Sequence, residues 1–178
     1  GRARARAAAE ACRARAGRSP DKLDRVSRDL RSGDGSLVLG FDAAYRLGDL
    51  YFPHVGLGNH AGERCRFGIS ADGEFSWVEN DPWKRTLTYL RETNVTDVNC
   101  VNETLGIRLR CYDAIDSEAN IFVRKIVVRN LRSEPRRVKL FFHHGFELYG
   151  SPNADTAMFD PDSRSIIHYK AKRYFLAS

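Results

Sequence analysis

The sequence is poor in anything that could staple a small fold or hold a metal. Its four cysteines, Cys12, Cys65, Cys100 and Cys111, form no CxxC pair, and no Cys/His set has zinc-finger spacing. Long apolar runs are missing too. The best are short, such as Ile121-Phe122-Val123, where a membrane-spanning helix needs roughly 18–20 residues. No GxSxG elbow is present for a serine hydrolase. With no apolar leader segment, the expected location is cytoplasmic, with no membrane partner.

What the chain does have is an ordinary globular composition: 42% hydrophobic, 11% aromatic and 29% charged over 178 residues. That length suits one domain, or part of a larger one. The net charge of +6 invites a nucleic-acid reading, so its source matters. Residues 1–20 carry six arginines against one acid, Glu10, while Asp21–Ser178 carries 23 basic and 22 acidic residues. A phosphate footprint needs its charge on a folded surface, and here it sits at one end. The stretch Gly1–Pro20 lacks Leu, Ile, Val, Phe, Trp and Tyr altogether. It has no face to bury, so it is expected to be a disordered basic tail. No nucleic-acid partner is expected.

From Ser36 onward the chain reads as strands and turns. Strands are expected at 36–42, 47–52, 64–70, 74–78, 86–90, 94–101, 107–115, 120–130, 137–149, 154–159, 165–170 and 173–177. Turn signals separate them, including Ala71-Asp72-Gly73, Asn80-Asp81-Pro82 and Asp160-Pro161-Asp162. Many short strands at close spacing indicate an all-β fold, a large antiparallel two-sheet sandwich over residues 21–178. One helix is expected, at 19–30, with Ser19 as N-cap and Pro20 at the first position. In 137–149 the alternation puts Val138, Leu140, Phe142, His144, Phe146 and Leu148 on a core face. Ile121–Asn130 is apolar on both faces, as in a strand covered on both sides. In the 94–115 hairpin, a turn over Asn102–Gly106 places Val101 opposite Ile107. Cys100 and Cys111 then stand three residues out of register, too far apart for a disulfide.

The chemical motifs are weak taken singly. Gly56-Leu57-Gly58-Asn59-His60-Ala61 spells the GxGxxA of a dinucleotide site, but the strand and helix that motif needs do not flank it. His143 and His144 are neighbours on a strand and point to opposite faces, so they cannot chelate one ion together. His54, His60 and Cys65 match no zinc spacing. Several acids sit at turns and strand ends (Asp42, Asp49, Asp113, Asp116, Glu147, Asp155, Asp160), which is common turn and capping duty. Trp77 and Trp83 bracket a turn, and such a pair can stack on sugar rings or pack a core.

In order along the chain, a string of motifs carries a resemblance. It runs through Gly33-Asp34-Gly35-Ser36-Leu37-Val38-Leu39-Gly40-Phe41-Asp42, then Leu47-Gly48-Asp49-Leu50-Tyr51-Phe52-Pro53-His54-Val55-Gly56 with Asn59-His60. It continues through Asp72-Gly73-Glu74-Phe75-Ser76-Trp77 and Phe141-Phe142-His143-His144-Gly145-Phe146-Glu147-Leu148-Tyr149-Gly150-Ser151-Pro152. It closes with Asp155-Thr156-Ala157, Asp160-Pro161, His168-Tyr169-Lys170 and Arg173-Tyr174-Phe175-Leu176. Together these resemble the N-terminal β-sandwich domain of bacterial and archaeal glucoamylase-like enzymes, glycoside hydrolase family 15, over about Asp29–Ser178.

The resemblance implies a β-supersandwich ahead of an (α/α)6 barrel, with the sandwich incomplete at its C-terminal end. It implies exo-hydrolysis of α-glucosidic bonds in starch-like chains, with inversion. Inversion uses two carboxylates about 6.5–9.5 Å apart. Both belong to the barrel, which this sequence lacks, so no catalytic residue, metal ligand or cofactor is assigned and the chain alone is expected to be inactive. Its partner would be the catalytic barrel. Pro53, His54, Asn59 and His60 are candidates for the substrate rim or the domain interface. The alternative is a stand-alone carbohydrate-binding module, with Trp77 and Trp83 stacking on an α-glucan.

Overall fold

The computed structural model describes residues 29–60 and 65–178. The tail expected at 1–20 lies outside them, as does nearly all of the helix expected at 19–30. That helix's last residue, Leu30, opens a strand instead.

The described residues form an all-β, wholly antiparallel structure in four small sheets. The first contains β1 (Leu30–Gly33), β2 (Val38–Phe41) and β3 (Leu47–Tyr51). The second runs in the order β10 (Val138–His143), β4 (Arg66–Ala71), β5 (Glu74–Trp77). The third holds β6 (Lys84–Tyr89), β7 (Thr96–Asn102), β8 (Ile107–Ile115) and β9 (Phe122–Asn130) in sequence order. The fourth is β11 (Thr156–Asp160), β12 (Ser165–Lys170) and β13 (Arg173–Ala177). A bridge from Leu47 to Cys65 joins the first sheet to the start of β4.

Alternation builds the core. In β7, Thr96, Val98, Cys100 and Asn102 are buried, and in β8 Ile107, Leu109, Cys111 and Asp113 are. They meet Leu39 and Phe41 of β2 and Phe67, Ile69 and Ala71 of β4 in one cluster. Burial of such side chains contributes about 1.5–3 kcal/mol each relative to exposure. Inside the cluster lies an ion pair. Arg124 Nε donates to Asp113 Oδ1 at 2.6 Å, while Tyr45 Oη and Thr96 Oγ1 donate to Asp113 Oδ2 at 2.5 and 3.0 Å. The guanidinium carbon lies 4.9–5.4 Å from the ring centres of Tyr45, Phe67, Phe41 and Phe122. Burial works against this charge, but Asp113 outweighs it and holds the Arg124 pKa above its ordinary value.

Turns follow their local chemistry. Asp34 Oδ1 accepts from the N–H groups of Ser36 and Leu37, closing the β1–β2 turn. Asp72 and Gly73 both have positive φ, 53° and 94°, as the tight β4–β5 hairpin requires.

Three expectations are corrected. The β7–β8 register is one residue off: Val101 faces Arg108, Cys100 faces Leu109 and Cys111 faces Val98. The loop is the four residues Glu103–Gly106, because Asn102 stays in the ladder and its Oδ1 accepts from the Leu105 N–H. Cys100 and Cys111 are therefore close diagonal neighbours on the core face, yet both are free thiols. Burial pushes the Cys100 thiol up to about 12, so neither is primed to react. The strand expected over 137–149 stops at His143, where the chain turns away so that Glu147 N–H donates to the Asn59 carbonyl. Within it, Leu140 and Phe142 are exposed, since β10 is an edge strand with only part of its apolar face covered. In β9, also an edge, Phe122 and Ile126 pack on the core, whereas Val128 farther along that same face and Val127 on the other are exposed, so the strand is not covered on both sides.

Candidate functional site

The candidates Pro53, His54, Asn59 and His60 all fall on one hairpin that follows β3. Tyr51 bridges to Gly58, and Phe52 N–H donates to the Leu57 carbonyl at 3.2 Å. The tip is Pro53, His54, Val55 and Gly56, all exposed, and Gly56 takes φ 99°, which favours glycine. The glycine pair that spells a dinucleotide motif thus serves a hairpin, not a strand-to-helix turn.

Asn59 lies beneath the tip and is fully buried. Its side chain is completely employed. Nδ2 donates to the carbonyls of Phe52 and Leu57 at 3.1 and 3.2 Å, holding both arms of the hairpin. Oδ1 accepts from Arg173 Nη1 at 2.7 Å. Its backbone N–H donates to the Leu50 carbonyl and its own carbonyl accepts from Glu147. Asn59 is therefore a buried junction, placed to position the exposed tip. His60 plays a similar part. Its Nδ1 lies 2.7 Å from the Leu50 N–H and 3.1 Å from the Leu50 carbonyl, and its Nε2 lies 3.5 Å from Asp49 Oδ1. His54 and Pro53 alone of the four offer free surface.

The β11–β13 sheet leans on this junction through aromatic contacts. Phe175 meets Phe52 edge-on at 6.0 Å and stacks on Phe146 at 5.1 Å. Phe146 also packs on His168, and His168 on His144 at 6.0 Å. Burial pushes the pKa of both imidazoles down, and at His144 the neighbouring His168 adds to it. Beside them is a recess of about 100 Å³, lined by Phe146, Leu148, Asp155, Thr156, Ala157 and His168. Small-molecule sites usually span roughly 300–1,000 Å³, so this recess fits no sugar ring.

The two tryptophans part company. Trp83 is buried, and its Nε1 donates to Ser76 Oγ at 2.9 Å, so its ring packs the core. Trp77 is half-buried, with Arg66 4.4 Å over its ring and Phe75 edge-on against it. They form no shared sugar platform. His143 and His144 continue on opposite sides of the chain, one near Trp77 and the other among Phe142, Phe146 and His168. Among the described residues no three His, Cys, Asp or Glu side chains are grouped to hold a metal. Turn duty occupies Asp42, Asp116 and Asp160, each of which accepts backbone N–H bonds from nearby residues.

Arg173 and Tyr149 lie within the resembling motifs but are not among the candidate site residues. The only available signal was an arginine beginning the apolar strand Arg173-Tyr174-Phe175-Leu176. Its partner lies 114 residues away.

No family model matches the chain, and no solved structure does. Among curated proteins it is similar to "Uncharacterized glycosyl hydrolase MJ1610" of Methanocaldococcus jannaschii, 26% identical over 143 residues. The match takes in 80% of this chain but only 22% of that protein. The chain is thus a distant relative of a glycosyl hydrolase, and it spans about a fifth of that relative's length.

Proposed function

We propose that this chain is the non-catalytic N-terminal sandwich of a longer, cytoplasmic, glucoamylase-like hydrolase of glycoside hydrolase family 15. In that enzyme it would support an (α/α)6 barrel that removes glucose from starch-like α-glucans with inversion. The observation that carries the reading is the lopsided match, most of this chain against a fifth of a glycosyl hydrolase. The incompletely covered surfaces agree with it: Phe159, Tyr174 and Leu176 on the last sheet are each more than half exposed. The tip at Pro53–Gly56 is the part of the hairpin free to meet the barrel or the rim of its substrate site.

The test is an assay of the 178-residue chain against maltotetraose. No glucose release is expected. Release of glucose that survives repurification would contradict a non-catalytic role. The rival reading, a sugar-binding module built on Trp77 and Trp83, is disfavoured by the burial of Trp83.

A further inference from the structure

The half-buried and buried arginines of this fold are generally neutralised. Arg66, Arg110, Arg124 and Arg136 each hold a carboxylate, on Glu79, Asp97, Asp113 and Asp72. Arg173 does not. It is only 7% exposed, yet among the described residues its one hydrogen bond goes to the neutral amide oxygen of Asn59. A guanidinium has five N–H donors in a rigid fork; only Nη1 is bonded among the described residues, and no Arg173 nitrogen is both fully buried and unpartnered, so the rest of the fork reaches solvent. Glu147 also reaches this junction. Its backbone N–H is committed to Asn59, and its carboxylate forms no ion pair with Arg173. A largely buried cation is stabilised by a counter-charge that reaches it.

A second feature stands on the same spot. Tyr149 lies with its ring 3.9 Å from the Arg173 guanidinium carbon. It adopts φ 61°, ψ 22°, a left-handed conformation that is uncommon for a bulky residue. Such strained residues gather at ligand-binding sites. Tyr149 is 43% exposed, so it flanks the guanidinium and also faces solvent. Asn59 fixes one side of the fork and Tyr149 covers a face, leaving an oriented cation beside the Pro53–Gly56 tip.

We propose that Arg173, with Asn59 and Tyr149, is a receptor for a carboxylate from outside this chain. The planar fork suits bidentate pairing with such a group, and pairing would supply the missing counter-charge. An acidic protein side chain and a sugar acid carry the same chemistry. The inference stands apart from the proposed hydrolase role, because it concerns this chain's own charge balance.

The experiment is NMR of the Arg173 Nε–H resonance in the 178-residue chain. Sodium acetate and sodium D-glucuronate are titrated separately, each against sodium chloride at matched ionic strength. A saturable shift with both at similar concentrations supports a receptor for a bare carboxylate, as on an acidic side chain. Saturation at tenfold lower glucuronate than acetate supports a sugar acid. Tyr149→Asn, which tolerates the left-handed backbone, is expected to weaken either response severalfold. Arg173→Gln should abolish the responses of neighbouring backbone amides. No shift beyond that of sodium chloride, in a chain whose Arg173 resonance is resolved, overturns the proposal.

Discussion

The amide oxygen of Asn59 accepts a 2.7 Å hydrogen bond from Arg173, tying the hairpin after β3 to the last strand across 114 residues of chain. The amide nitrogen meanwhile grips both arms of its own hairpin. Replacing Asn59 with Leu strands the Phe52 carbonyl and a guanidinium, while the Leu57 carbonyl keeps the Phe52 N–H. Each stranded buried group costs about 1–3 kcal/mol, so a loss of at least about 2 kcal/mol is expected in urea unfolding. A loss below 1 kcal/mol would show that the junction is not structural.

The Arg124–Asp113 pair makes a different kind of prediction. Breaking a buried pair from one side leaves an orphan charge and costs about 3–5 kcal/mol. Arg124→Leu should lower the urea midpoint by a corresponding amount. The double variant Arg124→Leu/Asp113→Leu should recover part of that loss, because no orphan carboxylate remains. Equal stability of single and double variants would contradict this.

Stability should also fall with acid through His144 and His168. Burial holds both pKa values in the folded state below the ordinary 6.5. The unfolded chain therefore takes up protons first, and stability drops as pH falls below about 6.5, levelling off once the folded imidazoles are also charged. The urea midpoint at pH 5.5 should lie below that at pH 7.5, and His144→Phe/His168→Phe should flatten the difference. A midpoint that rises on acidification would refute the sign.

Trp83 tests the core against the sugar platform. Trp83→Ala should cost about 3–5 kcal/mol, as deletion of a large buried aromatic does. Maltotetraose should leave the tryptophan fluorescence of the wild-type chain unchanged. Saturable quenching would instead restore the binding-module reading.

The parts of this structure that were legible in the sequence are those written in local alternation. Thr96–Asn102 and Ile107–Cys111 alternate because one face of each meets the core, and Asp72-Gly73 announces its hairpin. The parts that were not legible depend on distant partners. Leu30–Gly33 looks like a helix end followed by a turn, yet it is a strand because Leu30 pairs with Phe41 and Tyr89 Oη hydrogen-bonds both the N–H and the carbonyl of Arg31. The register at Cys100 differs by one residue from the spacing's expectation because Asn102 stays in the ladder and caps the turn through its side chain. The depth of Asn59 and Trp83, and the pairing of Asn59 with Arg173, follow from how sheets stack, on which local spacing is silent.

The most direct test of the whole account is to read the coding DNA past codon 178. The account predicts an open frame running on into helical repeats that carry two glutamates placed for inverting hydrolysis. A stop codon there, with a native protein near the 20.2 kDa of this chain, would contradict it.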